Sequence, residues 1–126
     1  MRMIFSAILL LSVIAGYAQD TAKKADTDAH FPGDIAGWHK FLAKNLHYPD
    51  DAISNEIHGD VVVEFQIDEQ GNVSDIKAIS GPKKGGLREE AVRIITVSGK
   101  WEPAIKNNIA VKSMRKETIS FKMSVQ

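Results

Sequence analysis

Asp60-Val61-Val62-Val63-Glu64-Phe65-Gln66-Ile67, followed by Asp68-Glu69-Gln70-Gly71-Asn72, is the stretch that decides the fold. Val61, Val63, Phe65 and Ile67 alternate with Val62, Glu64 and Gln66, so one face of an extended chain is wholly apolar. Three consecutive valines favour strand over helix, because β-branched side chains pack well on a pleated surface. Gly71 can take a positive φ in the loop, and Val73 opens a second strand that reads to Ser80. The stretch is a hairpin whose first strand belongs at the centre of a sheet.

Working outward, the segment before the hairpin reads as two helices. Asp34 is placed to cap a helix to about Asn45, in which Ile35, Trp38, Phe41 and Leu42 recur at helical spacing and continue to Leu46. Tyr48-Pro49 ends it, because the residue before proline is pushed out of the α region. Pro49 then opens a short helix through Asp50, Asp51, Ala52 and Ile53, and Gly59 closes that segment. Beyond the hairpin, residues 81–86 are a loop by composition. Leu87, Ala91, Ile94, Ile95 and Ser98 mark one face of a further helix, with Gly99 as its stop. Trp101-Glu102-Pro103 leads through the turn Lys106-Asn107-Asn108 into one long last strand. Its apolar parity is Ile109, Val111, Ile119, Phe121, Met123 and Val125, interrupted by Ser113, Arg115 and Glu117.

A hairpin, a helical crossover and a third strand make a split β-α-β unit. The reading is an α+β fold: a three-stranded antiparallel sheet of order 2-1-3 with helices on one face. The 126 residues suffice for one domain with a modest core. Sixteen basic and sixteen acidic residues cancel, so no global field draws the chain to nucleic acid or to an acidic membrane. There are no cysteines, which excludes disulfides, thiolate metal sites and cysteine nucleophiles.

The N-terminus carries a location signal. Arg2, an apolar run over residues 4–14 and the small-residue ending Gly16-Tyr17-Ala18 predict a signal peptide over residues 1–18, cleaved before Gln19. The apolar run is shorter than the ~20 residues of a spanning helix. The expected location is the periplasm, or a tether to the inner membrane if the signal is not cleaved. Residues 19–30 are polar and free of aromatic residues, and predict a solvated arm; residues 31–126 form the domain.

Motifs for catalysis or cofactors do not assemble. The glycines of residues 81–86 lack the Gly-Lys-Ser/Thr ending of a phosphate loop. Asp68, Gln70 and Asn72 form too short a turn for calcium and lack its late glutamate. His30, His39, His47 and His58 show no i,i+4 pair, so they read as surface residues and no metal or other cofactor is expected. Ser80 is not in a nucleophile elbow, and Glu89-Glu90 sit where a helix dipole favours acids. The expectation is a protein that is not an enzyme.

The combined pattern resembles the C-terminal domain of TonB, the periplasmic energy transducer of Gram-negative bacteria, in its Bacteroidetes-type form. The residues that carry the resemblance are Phe31-Pro32-Gly33, Tyr48-Pro49, Ala52, Gly59, Val61, Val63, Phe65, Gly71, Val73, Ile76, Leu87, Trp101-x-Pro103, Ile119 and Phe121. Of these, Tyr48, Pro49, Gly59, Gly71, Trp101, Pro103 and Phe121 are expected to be structural. The resemblance implies a protein partner: an extended segment of an outer-membrane receptor, added as a strand to the sheet edge. Val111, Lys112, Ser113, Met114, Arg115, Lys116, Glu117, Thr118 and Ile119 are the expected edge. A homodimer through the same strand, or a structural or regulatory envelope module without energy transduction, is the alternative. On the plainer reading, Lys112, Arg115, Lys116 and Lys122 only keep the edge from aggregating. Two departures from the family pattern stand out. A signal and a short arm replace the anchor and proline-rich spacer of the usual transducer, so direct force transmission is not expected. Thr118 stands where a proline is frequent, and keeps a backbone donor that proline lacks.

Overall fold

The valine run becomes the middle strand of the sheet. The computed structural model describes residues 26–123, in the order α1 (Asp34–Asn45), α2 (Asp50–Ser54), β1 (Gly59–Ile67), β2 (Val73–Ser80), α3 (Leu87–Thr96), β3 (Ala104–Lys106), β4 (Ile109–Val111) and β5 (Ser113–Phe121). The signal segment and the start of the arm lie outside the described residues. The main sheet has the order β2-β1-β5 and is antiparallel throughout, as the split β-α-β reading requires. Val61, Val63, Phe65 and Ile67 are fully buried and pack with Ile119 and Phe121 of β5 and with Leu87, Ala91, Ile94 and Ile95 of α3. The opposite face is polar. Glu64 lies 3.7 Å from Lys77 and stands in register with Lys116, and Ser120 donates to Asp60.

The last strand is not continuous. Asn107 and Asn108 both adopt positive φ, 53° and 67°, giving a two-residue turn whose twist suits a hairpin. Ala104–Lys106 and Ile109–Val111 therefore pair with each other as a separate two-stranded sheet. The long strand expected from Ile109 is corrected to β4 and β5, with Lys112 between them. The arm is corrected over its last residues as well. Thr27 and His30 form antiparallel bridges to Ile105 and Glu102, and Ala29 is buried in the core. Composition made this segment look solvated, but its backbone pairs with β3 and with Glu102 just before it, and the small side chain of Ala29 is buried. The α1 cap also differs: Gly33 holds the cap position at φ 86°, and Asp34 makes no side-chain capping bond.

Between α1 and the sheet the space is filled by rings. Trp101 packs against Phe65 at 5.1 Å, Phe31 at 5.4 Å and Trp38 at 5.4 Å, and Trp38 stacks on Phe41 at 5.6 Å between centroids. Edge-to-face pairs of this kind add to area burial. The Trp101 indole N–H donates to Ser98 Oγ (2.9 Å), and its backbone N–H donates to Gly71 O (3.0 Å). Gly71, at φ 89°, is required twice over, since a Cβ there would meet Trp101 O at 2.2 Å. The hairpin turn is thus fastened to the residue at the centre of the aromatic cluster. Within the turn, Asp68 Oδ1 accepts from the backbone N–H groups of Gln70 and Asn72. These bonds hold its carboxyl below the usual range, the Asn72 backbone bond most strongly.

Glu90 does more than favour a helix dipole. It is buried, accepts two bonds from Arg93 (2.7 and 2.6 Å) and one from the backbone N–H of His47 (2.7 Å). Arg93 also donates to Asn45 O (2.8 Å), so the pair clamps the end of α1 to α3. Burial pushes the Glu90 pKa up, but the Arg93 and His47 bonds and the Arg93 charge outweigh it and hold the value below normal. A depressed carboxylate stabilises the fold above its unfolded pKa, and that contribution is lost as pH falls through the folded value. Glu90→Gln should cost about 1–3 kcal/mol at pH 7. The deficit should shrink toward zero as urea unfolding is repeated at successively lower pH; a pH-independent deficit would contradict this role.

Candidate functional site

Two strands of the main sheet have an outer side, β2 and β5, and they differ in regularity. At two places on β2 an extra residue opposes β1, between Val62 and Val63 and between Glu64 and Gln66, and Asp75 adopts φ 51°. Bulges twist an edge and interrupt the row of donors and acceptors that a new strand would need. β5 instead pairs with β1 in unbroken register from Ile67↔Ser113 to Gly59↔Phe121. It is a straight edge nine residues long.

The predicted edge residues fall on both sides of a break. Val111 belongs to β4, where it pairs with Ala104, and Lys112 connects the strands. Ser113 through Ile119 lie on β5. Arg115, Glu117, Ile119 and Phe121 share the face of Phe65, Val63, Val61 and Gly59, whereas Met114, Lys116, Thr118 and Ser120 point to the polar face. The expected structural residues lie in the frame. Tyr48 donates to Ile57 O (2.6 Å) and meets Phe121 edge-on, Pro49 precedes α2, Gly59 begins β1 and Pro103 precedes β3.

Beside β5 the chain leaves two depressions. One, about 280 Å³, separates Asp28 and Ala29 of the arm from Ser113, Met114, Arg115 and Lys116. Ser113 Oγ is buried there with no hydrogen-bond partner among the described residues. The other, about 260 Å³, lies between β5 and the start of α1, lined by His30, Phe31, Asp34, Ile35, Trp38, Trp101, Arg115 and Glu117. Arg115 divides the two. Its guanidinium donates to Glu117 Oε1 (3.0 Å) and to Ala29 O (2.7 Å), and lies 5.4 Å from the Trp101 ring centroid. His30 Nε2 stands 3.7 Å from Asp34 Oδ1 at the mouth.

Sequence reasoning missed this cleft. The sequence places Arg115 within the expected peptide-binding edge and Ile35 on the apolar stripe of α1. Ile35 is 73% exposed in the first turn of α1, one turn before the buried Trp38. The available signal was the placement of Arg115 and Glu117 on the otherwise apolar parity of the last strand.

Residues 44–123 match the family described as the Gram-negative bacterial TonB protein C-terminal. The chain belongs to that family. The solved structures include the TonB C-terminal domain of Helicobacter pylori, determined in solution. It superposes with a TM-score of 0.50 at 24% identity, covering 68% of this chain and 78% of that one, and agrees with the fold. No curated protein sequence matches the chain significantly. The TonB C-terminal family consists of protein-interaction domains of envelope transport and energy transduction, not enzymes. Among the described residues no helix is long and apolar enough to cross a membrane.

Arg115→Ala removes the link between β5 and the arm. Hydrogen exchange at the Thr27 and His30 amides, which donate to Ile105 O and Glu102 O, should then quicken by about tenfold. Unchanged exchange at both would show that the arm is held by β3 alone.

Proposed function

We propose that this TonB-family domain is an exported module that binds an extended segment of an outer-membrane receptor by adding it as a strand to β5. The observation that carries the proposal is the contrast between the two edges: β5 is long and in continuous register, and β2 is bulged twice. Main-chain hydrogen bonds to such an edge supply affinity, and alternating side-chain sites supply selectivity. Both depressions lie along β5, which gives an incoming strand somewhere to place its side chains. Residues 1–18 act as the export signal in this reading, and the domain works from the periplasmic side. Ser113 through Ile119 are the contact residues.

The charges at Arg115 and Glu117 fit the same function. Inward-facing charges on an edge strand discourage indiscriminate pairing, so only a segment that accommodates them is accepted. In a titration of the ¹⁵N-labelled chain with synthetic N-terminal segments of outer-membrane receptors from the same cell, amide shifts should concentrate on β5 and spare β2. Shifts on β2 with β5 silent, or no shift on β5 with the fold intact, would overturn the proposal.

A further inference from the structure

We infer that the cleft between α1 and β5 is a specificity pocket for one bulky apolar side chain, aliphatic or aromatic, of the strand added to β5. The inference rests on the strand-addition reading and names what that strand must carry.

The geometry follows from the sheet. Successive side chains of a strand point to opposite faces, and neighbouring strands lie ~4.8 Å apart. On β5, Arg115 and Glu117 face the core side together with their β1 partners Phe65 and Val63. Those two partners are fully buried and do not line the cleft, so it lies on the outer side of β5. A strand added there sends every second side chain to the same face, one strand spacing further out, where α1 begins. One of these side chains must enter the cleft or be blocked by it.

The chemistry of the walls selects the side chain. Phe31, Trp38 and Trp101 present rings, and Ile35 stands at the mouth with most of its surface in water. Arg115 is a poor receptor for a carboxylate, because Glu117 already offsets its charge, the Ala29 carbonyl holds its Nη1 and its plane faces the Trp101 ring. Glu117 is paired with Arg115, so the Asp34 carboxylate is the wall charge left over, and it disfavours an acidic occupant. A volume of about 260 Å³ accommodates a single large side chain. Clefts with aromatic and aliphatic walls and a small set of placed polar groups are where peptide anchors bind.

The test uses acetylated nine-residue peptides of threonine with Leu, Phe, Ala or Glu at the centre, titrated into the ¹⁵N-labelled full chain. Leu and Phe peptides should bind at least tenfold more tightly than the Ala peptide, and the Glu peptide most weakly. Binding should shift the indole N–H signals of Trp38 and Trp101 together with β5 amides. Ile35→Asp, a change at an exposed position, should erase the Leu-over-Ala preference while β5 still responds. Equal affinity for all four peptides with β5 shifts would leave strand addition standing and overturn the pocket. If no peptide shifts β5, both readings fall. Cleft signals that move on concentrating the peptide-free chain would mean that a second copy occupies it, which also overturns the inference.

Discussion

The architecture depends on β1 being paired on both sides. One side meets β5 in continuous register over its full length, and the other meets β2 through two bulges. A strand in that position can hold the fold but has no outer side to offer a partner. With three strands among the described residues, the main sheet presents its remaining backbone groups on β2 and β5, and the bulges leave β5 as the regular edge. The valine run that makes β1 central therefore also determines where a partner strand can be added.

A second constraint comes from Trp101. It is 3% exposed, bonded to Ser98 through its indole and to Gly71 through its backbone, and packed against Phe65, Phe31 and Trp38. Its face meets the guanidinium of Arg115. One residue thus connects the β1–β2 turn, the start of α1 and the edge strand. Because α1 stands off the sheet on these rings instead of packing directly against it, a cleft is left beside β5. The large aromatic residues that complete the core also form the walls of the candidate pocket.

Much of this was legible in the sequence because it rests on local patterns. The alternation through Val61, Val63, Phe65 and Ile67, the turn glycine Gly71, the proline after Tyr48 and the helical spacing of Leu87, Ala91 and Ile94 each report on structure within a few residues. What stayed hidden depends on distant partners. Asn107 and Asn108 look like any polar turn until both adopt left-handed conformations and fold β3 onto β4. The arm around Ala29 is polar in composition, and its pairing with β3 is a tertiary event. Glu90 reads as a helix-start acid until Arg93 and the His47 amide converge on it. Of the expected edge residues, Ser113 through Ile119 lie on β5 and Val111 and Lys112 fall outside it; the cleft was not legible, since it joins Ile35 and Trp38 to residues some eighty positions away.

The central claim is that β5 has an open, regular outer side before any partner arrives. Residue-resolved hydrogen exchange on the free chain tests it directly. Along β5, amides should alternate, with those bonded to β1 protected and every second one, facing outward, exchanging orders of magnitude faster, while the amides of β1 stay protected throughout. Uniform protection along Ser113–Phe121 would mean that the edge is already covered, and would contradict the account.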